Sequence, residues 1–316
     1  MGRVVVLGAS LMDMNLRLDR LPSPGETRLG SGFFMMPGGK GANQAVAARR
    51  AGAEVIFLTA FGGDDFGRQI RDRYFDEGID IRHARVVESG PSGVALILVG
   101  DDGENLIGVA MGANAGLTPG WIDEIPAEVF EPPGVLLVSL EVPMEVVRRA
   151  IERANLAGIR VVLNPAPMPP GLWAGGDPPR VDVLTPNQSE AQALSGSAEP
   201  LPDDFERWIE RLRGPEWHGS AVVLTLGSRG CLVVDRGTGT AIPAFPVEAV
   251  DTVGAGDAFN GALAVGLAEG LSLVEAATRA SAAAALAVTR PGAQGALPSR
   301  AEIDRMVASR PSKAGD

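Results

Sequence analysis

Lysine is nearly absent from this 316-residue chain: Lys40 and Lys313 are the only two, and arginine carries almost all of the positive charge. Acidic residues outnumber Lys and Arg by 39 to 28, for a formal net charge of -11. A surface of that sign disfavours duplex nucleic acid, whose binding rests on clustered Lys and Arg. It leaves room for a small anionic ligand, because backbone N–H groups at a helix start bind phosphate whatever the net charge. Cysteine occurs once, as Cys231, so no intrachain disulfide can form, which fits a reducing compartment. Cys231 lies in the apolar run Gly230-Cys231-Leu232-Val233-Val234 and reads as a small buried hydrophobe. With one thiol and two well-separated histidines, His83 and His218, no zinc-ligand set arises, and both histidines are expected at the surface. No apolar run reaches the roughly 18 residues that span a bilayer. The N-terminus enters a strand pattern at Arg3–Gly8 without a basic region, a long apolar stretch or a cleavage site. A cytoplasmic protein with no membrane or nucleic-acid partner is expected.

What is present is an alternation. Strand patterns at Val4–Leu7, Val55–Ala60, Val135–Ser139, Arg160–Leu163, Val181–Leu184 and Ala221–Leu226 interleave with helical patterns. The helical patterns cover Gly41–Arg50, Phe66–Glu77, Pro143–Ala157, Ala258–Glu269 and Leu273–Val288. This predicts an α/β fold, a mainly parallel central sheet with helices on both faces. In such sheets ligands bind beyond the carboxyl ends of the strands. Met14–Pro37 lacks a helical period, and Gly93–Met111 reads as two strands around the turn Gly100-Asp101-Asp102-Gly103. Both carry apolar side chains that need a surface to cover, so they are read as a flap over the cleft. Pro169–Pro179 reads as a loop and Ala308–Asp316 as a frayed tail.

Four segments carry candidate chemistry. In Asp251-Thr252-Val253-Gly254-Ala255-Gly256-Asp257 the small residues precede a long helix, exposing N–H groups at its positive end, a suitable place for a transferring phosphate. Asp257 in the first turn could take the proton of an attacking alcohol, or could be a plain N-cap. Pro37-Gly38-Gly39-Lys40-Gly41-Ala42-Asn43-Gln44 lets backbone approach a small ligand, with Lys40 and Asn43 as hydroxyl partners, and equally reads as a loop-to-helix turn. It is neither a Walker A loop nor a dinucleotide fingerprint, since the required glycines are missing. Asn187 and Glu190 follow a strand and suit hydrated Mg²⁺ near phosphates, or form a capping box. Thr225-Leu226-Gly227-Ser228-Arg229-Gly230 follows another strand and could flank a nucleotide, or be a simple hairpin turn.

Taken in order, Gly38–Ala48, Asn164-Pro165-Ala166-Pro167, Pro186–Glu190, Thr225–Gly230, Asp251–Gly261 and Ala287–Gln294 resemble the ribokinase/PfkB family of carbohydrate kinases. The resemblance runs from about Val4 to Met306. It implies one three-layer kinase domain over residues 1–310, with β-sheet lid segments at about 12–37 and 92–111, a tail at 311–316 and a homodimer formed through the lid. It implies ATP as phosphoryl donor and a sugar as acceptor. By match, Asp257 resembles the family's catalytic base, and the N–H groups of Gly254, Ala255 and Gly256 its anion hole. Asp13, Gly39, Lys40, Asn43 and Glu141 match sugar-contact positions. Asn187, Thr225, Gly227 and Gly230 match the nucleotide side, and Glu190 the acidic residue tied to Mg²⁺. A K⁺ site would use Asp251 and the carbonyls of Val253, Val288, Pro291 and Ala293.

One position departs from the pattern. After the first strand ribokinase-type members read Gly-Ser-Ile-Asn-x-Asp, whereas this chain has Gly8-Ala9-Ser10-Leu11-Met12-Asp13. An apolar Leu11 cannot pair a buried sugar hydroxyl, at a cost of roughly 1–3 kcal/mol. The expectation is phosphorylation of a pentose 5-hydroxyl, D-ribose first and 2-deoxyribose as the alternative. Another sugar or nucleoside substrate ranks next, and a non-catalytic sugar sensor last.

Overall fold

The structure is a computed structural model that describes residues 2–169, 171–172, 177–196, 204–212 and 220–310. His218, Lys313, the tail 311–316 and part of the expected loop at 169–179 lie outside the described residues. The chain opens with β1 (Arg3–Leu7), β2 (Leu11–Leu18), β3 (Gly32–Gly38), α1 (Lys40–Arg50), β4 (Glu54–Leu58), β5 (Ala60–Gly62) and α2 (Asp65–Asp76). It continues through β6 (Arg85–Val87), β7 (Gly93–Gly100), β8 (Asn105–Ala110), α3 (Pro119–Glu124), β9 (Val135–Ser139), α4 (Met144–Ala157), β10 (Arg160–Asn164) and β11 (Val183–Leu184). After α5 (Gln188–Ser195) and α6 (Phe205–Arg211) come β12 (Ala221–Thr225), β13 (Cys231–Asp235), β14 (Thr238–Ile242), α7 (Ala255–Ala268), α8 (Leu273–Ala287) and α9 (Arg300–Ala308).

The central sheet has the order β14-β13-β12-β11-β10-β9-β1-β4, parallel from β4 to β12 and antiparallel at β13 and β14. Its strands are apolar on both faces, as a doubly covered sheet requires. Val4, Val6, Leu137, Val162 and Val223 pack with residues of α1, α7 and α8. Val5, Leu7, Leu136, Val138, Leu163 and Leu224 pack with residues of α3 and α4. Beside β1 the chain turns one way to β4, while β9 leads the other way to β10. That reversal leaves a crevice at the carboxyl ends of β1 and β9, where α/β sheets bind ligands. The start of α1 enters this crevice because neither side has a Cβ: one added to Gly41 would lie 2.5 Å from the Gly8 Cα.

A second sheet, β3-β2-β7-β8, is built from both irregular stretches, with β2 parallel to β7 and antiparallel pairs outside. Side chains alternate across it, so Phe33, Leu96 and Leu106 are exposed on one face and Phe34, Ile107 and Val109 on the other, the face of Asp13. Three sequence expectations are corrected. The Val55–Ala60 run breaks at Thr59, which donates to Asn114 Oδ1 at 3.3 Å, and Ala60 begins β5, paired with β6 instead. The strand expected at Val181–Leu184 shortens to Val183–Leu184, because the Asp182 carboxylate takes the Val161 N–H at 2.8 Å. His83 is half-buried rather than superficial, and its carbonyl accepts the Trp121 indole N–H at 3.1 Å. Cys231 is buried, which pushes its thiol up to about 11 and leaves it inert.

Candidate active site

The site is assembled around the first turn of α7. Gly254 holds a left-handed conformation (φ 77°) that swings the chain into the helix, and no side chain caps its N-terminus. No side chain takes the N–H groups of this turn, although the Ala255 N–H donates to the Thr252 carbonyl at 3.3 Å, and they lie at the positive end of the helix dipole. Asp257 sits in the same turn and is buried. Its Oδ2 accepts from Asn43 Nδ2 at 3.0 Å and its Oδ1 from Gln44 Nε2 at 3.1 Å, both on α1. Burial raises the carboxyl above its ordinary range, opposed by the Lys40 charge and by these two amide bonds.

Two further carboxylates face this position. Glu141, just past β9, accepts the Lys40 N–H at 2.7 Å. Asp13, on β2, is pushed up to about 7 by burial, then by the charges of Glu141 and Asp257. Glu141 is raised chiefly by burial. Gly38 leaves the space Asp13 uses, since an added Cβ would overlap its carboxylate. Gly39 takes φ 91° against the Ala9 carbonyl, with Leu11 on the same spot, and Leu11 is buried between Gly39 and Gly93. Asn43 Oδ1, Gln44 Oε1 and Ser139 Oγ are buried with no hydrogen-bond partner among the described residues. Unpaired buried acceptors and hydroxyls beside carboxylates suit a polyhydroxy ligand.

On the other flank of the turn a cavity of about 690 Å³ is lined by Asn187, Thr225, Gly227 and Gly230, by Ala255 and Gly256, and by apolar Phe245, Val247 and Ala284. Its size and mixed lining suit a nucleotide. Asn187 and Glu190 do form the capping box of α5: Asn187 Oδ1 accepts the Glu190 N–H and Glu190 Oε2 the Asn187 N–H, both at 2.9 Å. Burial raises the Glu190 carboxyl. Asn187 also bridges to Thr225, which fixes the neighbouring strand ends together. Behind the turn, Asp251 accepts from Val253 N at 3.0 Å and Gly292 N at 2.8 Å. The Val288 carbonyl accepts from Val250 N and Asp251 N. Asp251, Val253, Val288, Pro291 and Ala293 therefore belong to two loops tied side by side.

Residues 1–300 match the pfkB family carbohydrate kinase profile. The chain belongs to the pfkB family of carbohydrate kinases. This kinase is 36% identical over 307 residues to a ribokinase of Haemophilus influenzae, covering 95% of this chain and 96% of that one. It is 34% identical over 296 residues to a deoxyribokinase of Salmonella typhi, covering 94% and 95%. Its fold matches the structure of Arabidopsis thaliana ribokinase complexed with ribose and ATP, with a TM-score of 0.85, 30% identity and coverage of 97% and 98%. Buried behind Asp257 lie Gln44, Asn164, Thr185 and Asn260, three amides and a hydroxyl that the motifs gave no role. Gln44 and Asn164 stood in the matching motifs, but a spacing pattern does not announce an amide's role.

The raised Asp13 carboxyl has a stability consequence. Its folded value, about 7, lies above the unfolded 3.8, so the native state holds the proton more tightly. That contribution is full below about pH 4 and is lost as pH rises through about 7. Ligand-free Asp13→Asn should melt above the wild type at about pH 8 and close to it at about pH 4.5. Melting curves that keep a constant offset across this range would contradict it.

Proposed function

We propose that this kinase transfers the γ-phosphate of ATP to the primary 5-hydroxyl of a pentose, D-ribose before 2-deoxyribose. The observation that carries the reading is the buried Asp257 carboxylate on an uncapped helix start, between a carboxylate- and amide-lined recess and a nucleotide-sized cavity. Asp13, Gly39, Lys40, Asn43 and Glu141 hold the sugar hydroxyls. Asp257 takes the proton of the attacking hydroxyl as the new O–P bond forms and the bond to ADP breaks. The N–H groups of Gly254, Ala255 and Gly256 take up the charge that spreads over the phosphoryl oxygens. Asn187, Thr225, Gly227 and Gly230 line the nucleotide. The family's ribokinases, and the ribose and ATP held by the Arabidopsis thaliana enzyme, support this choice of substrates.

Mg²⁺ neutralises phosphate charge when bound, and Glu190 and Asn187 would hold its water shell. Both are already fixed by the capping box, and Glu190 uses Oε2 there, so Oε1 would be the oxygen left for the metal's waters. K⁺ would lie among Asp251 and the carbonyls of Val253, Val288, Pro291 and Ala293, an all-oxygen set suited to a hard cation. The hydrogen bonds that draw these two loops together favour such a site. The second sheet acts as the lid, and a second copy of the chain covers the face that carries Phe33, Leu96 and Leu106, opposite to Asp13.

The second reading, 2-deoxyribose, is favoured by Leu11, which is 2% exposed and offers no hydrogen bond. A coupled ADP-release assay over ribose, 2-deoxyribose, fructose and a nucleoside should give turnover with the pentoses, and no pentose turnover would remove the proposal. Leu11→Asn should improve kcat/KM for ribose relative to 2-deoxyribose about 5- to 100-fold, the worth of pairing one buried hydroxyl. Asp257→Asn should lower kcat by about 10²–10⁴-fold. Activity should fall when potassium is replaced by sodium, and sedimentation should show a dimer; equal rates in both salts, or a monomer, would count against the respective assignments.

A further inference from the structure

A chain of hydrogen bonds leaves α7 at Asp257 and returns to it one residue away. Gln44 Nε2 donates to Asp257 Oδ1 at 3.1 Å and to Asn164 Oδ1 at 3.0 Å. Asn164 Nδ2 donates to the Thr185 carbonyl at 3.2 Å. The Thr185 hydroxyl donates to Asn260 Oδ1 at 2.5 Å, and Asn260 Nδ2 to the Gly256 carbonyl at 2.8 Å. The direction of each bond is forced. A carboxylate and two backbone carbonyls only accept, so each amide must turn its NH₂ toward them. All four side chains are buried. They come from α1, from the carboxyl ends of β10 and β11, and from α7 itself.

We propose that Gln44, Asn164, Thr185 and Asn260 form a positioning ring that locks the Asp257 carboxylate to the Gly256 peptide, and so holds proton acceptor and phosphate-binding turn in fixed register. None of them needs to touch the substrate. The inference rests on the base assignment of Asp257. Gln44 anchors the carboxylate half of the ring and Asn260 the peptide half, so the two halves fail differently. Loss of the Gln44 donor leaves Asp257 more basic. Burial already raises this carboxyl, and Lys40, Asn43 and Gln44 hold it down, while Asp13, Glu141 and Glu190 face it with like charge. The base must be ionised to act, so the acid limb of the pH–rate profile moves to higher pH.

The experiment compares pH profiles of kcat/KM with ribose for wild type, Gln44→Met, Thr185→Val and Asp257→Asn, with thermal melts alongside. Methionine matches the length of Gln44 and also removes its unpartnered buried Oε1, so the fold should tolerate it. Gln44→Met should move the acid limb up by about one pH unit and lower the plateau about 10-fold or more. Thr185→Val should lower kcat several-fold and leave the acid limb in place. If Gln44→Met changes only the melting temperature, and Thr185→Val keeps wild-type kcat, the ring is structural and the inference falls. Should Gln44→Met fail to fold, Thr185→Val alone decides, through its kcat. An active Asp257→Asn would overturn the base assignment and the ring with it. An inactive Asp257→Asn beside an unshifted acid limb in Gln44→Met overturns the ring alone.

Discussion

Keeping the Asp257 carboxylate out of water is the constraint around which the rest of this kinase is arranged. An ionised carboxylate loses far more hydration on burial than any one contact returns. Here the loss is offset by several partners converging from different parts of the chain: the Asn43 and Gln44 amides, the Lys40 charge and the positive end of α7. Each partner sets a condition on the fold. α1 must run close against β1, which it does through Gly8 and Gly41. α7 must begin abruptly, which the left-handed Gly254 allows.

The same constraint separates the two halves of the site. On the proposed reading, sugar-side groups come from the strand ends at the switch point between β1 and β9, and from β2 of the second sheet. Nucleotide-side groups come from beyond β11 and β12. Only the first turn of α7 belongs to both. Its peptide groups line the cavity while its carboxylate meets the α1 amides, so on that reading one turn of helix sets the distance between donor and acceptor.

Much of this was legible in the sequence where local rules apply. β9 matches its expected span, and α1, α4, α7 and α8 are displaced by three residues or fewer, because periodicity and glycine stops are local signals. The break at Thr59 was not legible, since a continuous apolar run does not reveal that a buried threonine diverts the chain out of the central sheet to pair with β6. The capping box and the Mg²⁺ reading of Asn187 and Glu190 stood as rivals in the sequence. In the structure the box exists and holds the carboxylate in place, and the Mg²⁺ reading stands beside it as a proposal. The amides behind Asp257 were least legible. Gln44 meets Asp257 across 213 residues and Asn164 across 120, and no spacing rule reaches that far.

The scarcity of lysine acquires a practical meaning once Lys40 is placed. Its backbone N–H is held by Glu141 and its charge acts on Asp257, in the carboxylate- and amide-lined recess. The sequence has one other lysine, Lys313. Acylating or reductively alkylating reagents therefore have very few amines to modify, and Lys40, the one lysine among the described residues, is half-buried in this recess. Labelling at Lys40 is a direct gauge of how open that recess stands.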